Sequence, residues 1–190
     1  MKSIVLVFCL LTSASVFPQD NNKTIINTPS PLIFGAYAET YYSYDFNNLI
    51  NNTKSPFLFS FNKNNEASVN LAFLKGSYVT DRVRANLALA AGTYMNANYG
   101  AEPGILGNLC EGNAGIKLSR GNNLWLDVGG VPSHIGFESA IGKDCWNLTR
   151  SILADNSPYY EAGAKISYTT ENSRWFFSGL ILNGWQRIQR

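Results

Sequence analysis

The chain has 190 residues, enough for one domain or at most two, with 45% hydrophobic, 13% aromatic and 15% charged residues and a net charge of +2. Charge falls below the roughly 25% usual in soluble domains, while Lys and Arg are scattered without a basic stripe, which argues against nucleic acid as a partner. Beyond residue 20 no apolar run approaches the ~18 residues that a membrane-spanning helix needs, so a helical membrane protein is excluded.

Met1 and Lys2 precede an apolar run from Ile4 to Leu11 and a short polar exit through Thr12 to Ser15, the pattern of a secretory signal peptide over residues 1–19. Residues 20–31 then read as an N-terminal periplasmic segment, and 32–190 as the folded part. Cys9 belongs to the apolar run, which leaves Cys110 and Cys145 as the mature cysteines. An even pair in an oxidising compartment predicts a disulfide between them.

From Leu32 onward the dominant period is two, which indicates β-strands with unlike faces. In the first, Phe34, Ala36, Ala38, Tyr42, Tyr44 and Phe46 alternate with Gly35, Tyr37, Glu39, Tyr41, Ser43 and Asp45. The second sets Ala67, Val69, Leu71 and Phe73 against Glu66, Ser68, Asn70 and Ala72. In the third, Val83, Ala85, Leu87, Leu89 and Ala91 oppose Arg84, Asn86, Ala88, Ala90 and Gly92. Shorter strands place Ile116 and Leu118 against Lys117, then Leu124, Leu126 and Val128 against Trp125, Asp127 and Gly129. The sixth sets Ala162, Ala164, Ile166 and Tyr168 against Glu161, Gly163, Lys165 and Ser167, and a seventh from Arg174 to about Asn183 is aromatic on both faces. Long connections near 47–64, 96–113 and 133–158 alternate with tight turns near 80–82, 120–123 and 170–173, which predicts an antiparallel up-and-down meander with its long loops at one end.

Periodicity reveals two faces and not which one meets water. In a soluble sandwich the apolar face would line a core; in an outer-membrane barrel it would face lipid, with the polar face toward the lumen. Strand length favours the barrel, since several segments keep period for about the 9–11 residues that cross a bilayer. Aromatic residues near strand ends, including Tyr42, Tyr44, Phe46, Tyr78, Tyr94, Tyr159, Tyr160, Tyr168 and Trp175, suit interfacial girdles.

Four segments carry a resemblance: residues 125–130 (Trp-Leu-Asp-Val-Gly-Gly), 132–139 (Pro-Ser-His-Ile-Gly-Phe-Glu-Ser), 157–163 (Ser-Pro-Tyr-Tyr-Glu-Ala-Gly) and 183–188 (Asn-Gly-Trp-Gln-Arg-Ile). Together with the opening strand from Gly35 to Phe46, they resemble the OmpL-like β-barrel porins of Gram-negative outer membranes. The resemblance implies an all-β transmembrane barrel acting as an outer-membrane channel, with no catalytic residue to carry over. In that family the barrel continues past the last of these segments, so the chain reads as the N-terminal part, about seven strands, of a larger barrel.

The barrel assignment makes Glu39, Asp45, Glu66, Arg84, Lys117, Asp127, Glu161 and Lys165 candidate pore-lining residues. Mixed signs suit weakly selective diffusion of small polar solutes, because strong ion selection needs a ring of one sign. Expected partners are outer-membrane lipid and such solutes; homo-oligomerisation is left open. Ser133 beside His134 suggests a hydrolase pair, but adjacent residues of an extended segment point to opposite faces, so no enzyme is expected. Neither a cofactor nor a metal is expected, since one His and separated Cys show no ligand spacing. The alternative reading is a secreted all-β carbohydrate-binding module with Trp125, Trp146 and Tyr side chains as its platform.

Overall fold

The computed structural model describes residues 12–13, 31–47 and 49–189. The expected signal peptide and N-terminal segment lie outside these residues except for Thr12, Ser13 and Pro31. Eight strands form one sheet in chain order, each pair antiparallel: β1 (Thr12–Ser13), β2 (Leu32–Tyr42), β3 (Ala67–Val79), β4 (Val83–Ala91), β5 (Leu109–Lys117), β6 (Asn123–Pro132), β7 (Tyr160–Thr169) and β8 (Phe176–Leu182). β1 is a two-residue pairing on β2, and the other seven strands are the expected meander. Short turns join β3 to β4, β5 to β6 and β7 to β8, while the three long connections all emerge at the opposite end. This is the up-and-down all-β order of a partial barrel.

One face of the sheet is bare and apolar. Phe34, Leu74, Leu87, Ile116, Val128, Ile166 and Ile181 all stand exposed along it. The other face, called inner below, is covered by the long connections at the end from which they emerge. Its register neighbours run across the sheet, as in Tyr37 opposite Phe73 and then Ala90, or Asp127 opposite Lys165 and then Leu180. That register also orients β8, with Ser178 and Leu180 inward and Phe177 and Ile181 outward.

Two bulges correct the simple alternation. Glu39 pairs with Leu71 and Thr40 with Val69, so Asn70 is an extra residue in β3. Asn70 and Leu71 both point inward, at 1% and 0% exposure. Phase therefore flips along β3: Leu71 and Phe73, read from sequence with Val69 on the apolar face, belong to the inner face, and Leu74 takes the outer one. In β5 the extra residue is Cys110, between the pairs Ala88–Glu111 and Leu89–Leu109. Bulges of this kind bend the strand and redirect side chains. Next to the first bulge, Gly92 leaves β4 at φ +134°, where a Cβ would collide with the Asn70 carbonyl; only glycine turns the chain there.

The inner core lies at the long-loop end. Tyr37, Leu71, Ala90, Tyr94, Met95, Tyr99 and Tyr160 form one buried cluster, with Tyr94, Met95 and Tyr99 supplied by α1 (Thr93–Asn98) and the residue that ends it. Tyr94 and Tyr160, expected in an interfacial girdle, are thus core residues; Tyr42, Tyr44, Tyr78 and Trp175 are exposed as a girdle requires. The third long connection, residues 133–159, carries α2 (Ile152–Asp155) and folds back over this cluster, with Ala140, Ile141 and Tyr159 packed on it.

Candidate pore lining

The inner face is polar because charged residues and amides alternate with the outward apolar ones. Its geometry is set by strand spacing. Two strands separated by a third lie about 9.5 Å apart, a span that only long cations bridge. Lys75 of β3 reaches across Ala88 of β4 to Glu111 of β5, with Nζ 2.5 Å from Oε2. Arg84 of β4 reaches across Gly115 of β5 to Asp127 of β6, donating Nε to Oδ1 at 2.6 Å and Nη2 to Oδ2 at 2.5 Å. In both cases a small residue on the middle strand clears the path. The Arg84 guanidinium also lies over the Trp125 ring, 4.3 Å from its centroid.

Amides fill the space between these pairs. Ser77 Oγ donates to Asn86 Oδ1 (2.8 Å), Asn86 Nδ2 to Asn113 Oδ1 (3.1 Å), and Asn113 Nδ2 to Glu111 Oε1 and the Gly130 carbonyl (both 3.1 Å). The ladder ties β3 to β6. At the long-loop end Glu39 accepts from Asn70 Nδ2 at 2.9 Å, and Glu161 is hydrogen-bonded to His134 Nδ1 at 2.8 Å. Glu161 is 4% exposed and His134 47%, so the only histidine is clamped at the root of the long connection.

Of the eight residues predicted to line a pore, six belong to the sheet and face inward: Glu39, Arg84, Lys117, Asp127, Glu161 and Lys165. Asp45 and Glu66 do not. β2 ends at Tyr42, and Asp45 sits in the following connection, accepting from Asn47. Glu66 is exposed just ahead of β3 and accepts from Ser68. Trp125, proposed as part of an exposed sugar platform, is 9% exposed beneath Arg84, so it offers no open ring face.

The model of the family described as "Putative beta-barrel porin-2, OmpL-like" matches residues 31–190. The chain belongs to this family of β-barrel porins. No curated protein and no solved structure matches it. In this OmpL-like porin the exposed apolar belt is the surface expected to meet lipid. An outward groove among Ala36, Ala38, Ala72, Leu74 and Leu89 belongs to that belt.

The cysteines depart from expectation. Cys110 lies within β5 and packs against the inner core, whereas Cys145 Sγ donates to the Ser139 carbonyl at 3.1 Å. Both are free thiols in place of the predicted bridge. The connection carrying Cys145 is directed onto the inner face. Gly142 packs against the Glu39 carboxylate, and Lys143 Nζ lies 5.8 Å from the Tyr37 ring centroid. Burial pushes the Cys145 thiol upward in pKa.

Other inner residues were missed by sequence reasoning. Lys75 was hidden by the phase flip at Asn70, and Glu111 by the placement of β5 inside a long connection. Arg150 and Asp155 came from loop sequence that has no periodicity. Arg150 stacks on Tyr159, 4.9 Å from ring centroid, and reaches Tyr94 OH at 3.5 Å and Asp155 Oδ1 at 4.0 Å. Asp155 accepts from Ser60 Oγ at 2.9 Å, which pins the third long connection to the first. Burial raises the Asp155 carboxyl, with Ser60 and Arg150 opposing the shift; the phenols of Tyr94, Tyr99 and Tyr159 are raised for the same reason.

Proposed function

We propose that the protein is an outer-membrane porin through which small polar solutes and ions diffuse passively along a wet inner face. The observation that carries this reading is the contrast between the two faces of one meander. The outer face is apolar and bare, whereas the inner face carries hydrogen-bonded amides and charges of both signs, among them the pairs Lys75 with Glu111 and Arg84 with Asp127. Paired charges leave no ring of one sign, so weak ion preference follows. In a bilayer every strand group must be paired, because an orphan backbone donor or acceptor in hydrocarbon costs several kcal/mol. The outer edge of β8 has no strand partner among the described residues, and closure by further strands or by another copy is part of the proposal.

The experiment is conductance of membrane-extracted protein in a planar bilayer, together with gel mobility before and after boiling. Stepwise currents with modest selectivity and a heat-dependent mobility shift support the porin. Aqueous solubility without detergent and a silent bilayer would overturn it in favour of a secreted β-module.

A further inference from the structure

Between the connection at residues 133–159 and the inner face of β3 and β5 lies a cavity of about 340 Å³. That volume is at the lower end of small-ligand sites. Phe73 and Tyr99 give part of its wall an apolar, aromatic surface, while Lys75, Arg150, Glu111 and Glu138 bring both signs of charge to it. These four charges cancel, so a simple ion of either sign gains little there.

Arg150 is the informative member. Its side chain is only 7% exposed, yet its contacts are long: 3.5 Å to Tyr94 OH, 3.3 Å to the Ala154 carbonyl and 4.0 Å to Asp155. Its Nε–H is buried without a hydrogen-bond partner among the described residues. A buried donor of this kind costs free energy until something accepts from it. Glu138 accepts from the Ser151 backbone N–H and hydroxyl. An ionised carboxylate has about four lone-pair sites, so capacity remains on Glu138.

We propose that this cavity is a binding station for zwitterionic solutes of the amino-acid or short-peptide class. The solute carboxylate pairs with Arg150, whose Nε–H is unpartnered among the described residues, and its ammonium with Glu138, while the Lys75–Glu111 pair, 2.5 Å apart, shares its outer valences with the same two ends and the apolar side chain lies against Phe73 and Tyr99. A dipolar solute matches the wall at both ends, which neither a lone ion nor an uncharged sugar does. This deepens the porin reading and rests on it, since the solute reaches the cavity along the lumen.

The test is calorimetric titration of the full chain, folded in detergent, with glycyl-leucine, and in parallel with N-acetyl-glycyl-leucine amide, sodium acetate and glucose. Saturable binding of the dipeptide at least tenfold tighter than each control is expected, with a tenfold or greater loss in Arg150→Gln. Because Arg150 also braces the loop, Lys75→Gln on the β3 wall supplies a second variant, expected to weaken binding severalfold. Acetate or glucose binding as tightly as the dipeptide would overturn the proposal, as would dipeptide affinity unchanged in both variants. Conductance of the same preparation separates the two readings. An open channel that binds no dipeptide removes this site alone, whereas dipeptide binding by a protein that forms no channel supports the site and removes transport.

Discussion

Gly115→Ala places a methyl group in the path of the Arg84–Asp127 pair. A Cβ at Gly115 would fall well inside contact distance of Asp127 Oδ1 and 3.2 Å from Arg84 Cγ. The backbone is strand and cannot retreat, so the carboxylate must rotate. Leaving its rotamer costs about 0.5–1.5 kcal/mol, and each hydrogen bond to a charged group that is lost costs about 1.5–3 kcal/mol. Asp127 is 5% exposed but Arg84 31%, so water replaces part of what Arg84 loses. Adding back about 0.5–1 kcal/mol for replacing a strand glycine with alanine leaves a net loss near 2 kcal/mol. At a slope of about 2 kcal/mol/M that is a fall of about 1 M in the urea midpoint. Trp125, under the Arg84 guanidinium, provides the fluorescence signal in detergent micelles. Gly35→Ala is the control, since a Cβ there meets nothing within 4 Å. In an Asp127→Ala background the Gly115→Ala cost should largely vanish, a coupling of about 2 kcal/mol. Additive effects, or equal midpoints for Gly115→Ala and Gly35→Ala, would refute the clearance argument.

Gly129→Ala is expected to cost at least about 2 kcal/mol, because Gly129 sits at φ +124° with its Cβ position directed into the Gly112 carbonyl. Its neighbour Gly130, whose nearest atoms are 3.7 Å away, should accept alanine with a urea midpoint that does not fall and rises by up to about 0.5 M from the strand-glycine gain. Asp155 gives the docked loop a pH dependence: its raised pKa means that the native state holds the proton more tightly than the unfolded chain, so its contribution is greatest in acid and is lost as pH rises from the ordinary carboxyl range through the raised value. Limited proteolysis of residues 133–159 should accelerate across that window and lose the dependence in Asp155→Asn; a rate independent of pH in the unsubstituted protein would contradict it. Alkylation under denaturing, non-reducing conditions should label both Cys110 and Cys145, and a mapped peptide joining the two would contradict the free thiols.

The seven strands of the meander, their antiparallel order and the end at which the long loops gather were legible in the sequence, whereas the two-residue β1 was not. They depend on local causes, namely the two-residue alternation of Cβ direction and the turn chemistry between strands. The same period placed Glu39, Arg84, Asp127, Glu161 and Lys165 on one face without any knowledge of their partners. What followed from tertiary structure was everything that depends on two distant segments meeting. A bulge at Asn70 reversed the face of Leu71 and Phe73, and a bulge is a property of register between strands. The partners Lys75–Glu111 and Arg84–Asp127 each needed a third strand with Ala88 or Gly115 between them. The loop of residues 133–159 has no strand or helix period that would say which surface it meets. Its place over the inner face was decided by Tyr94, Tyr99 and Leu71, which bury against Tyr159 and Ile141, and by Ser60, which receives Asp155 from the far side of the chain.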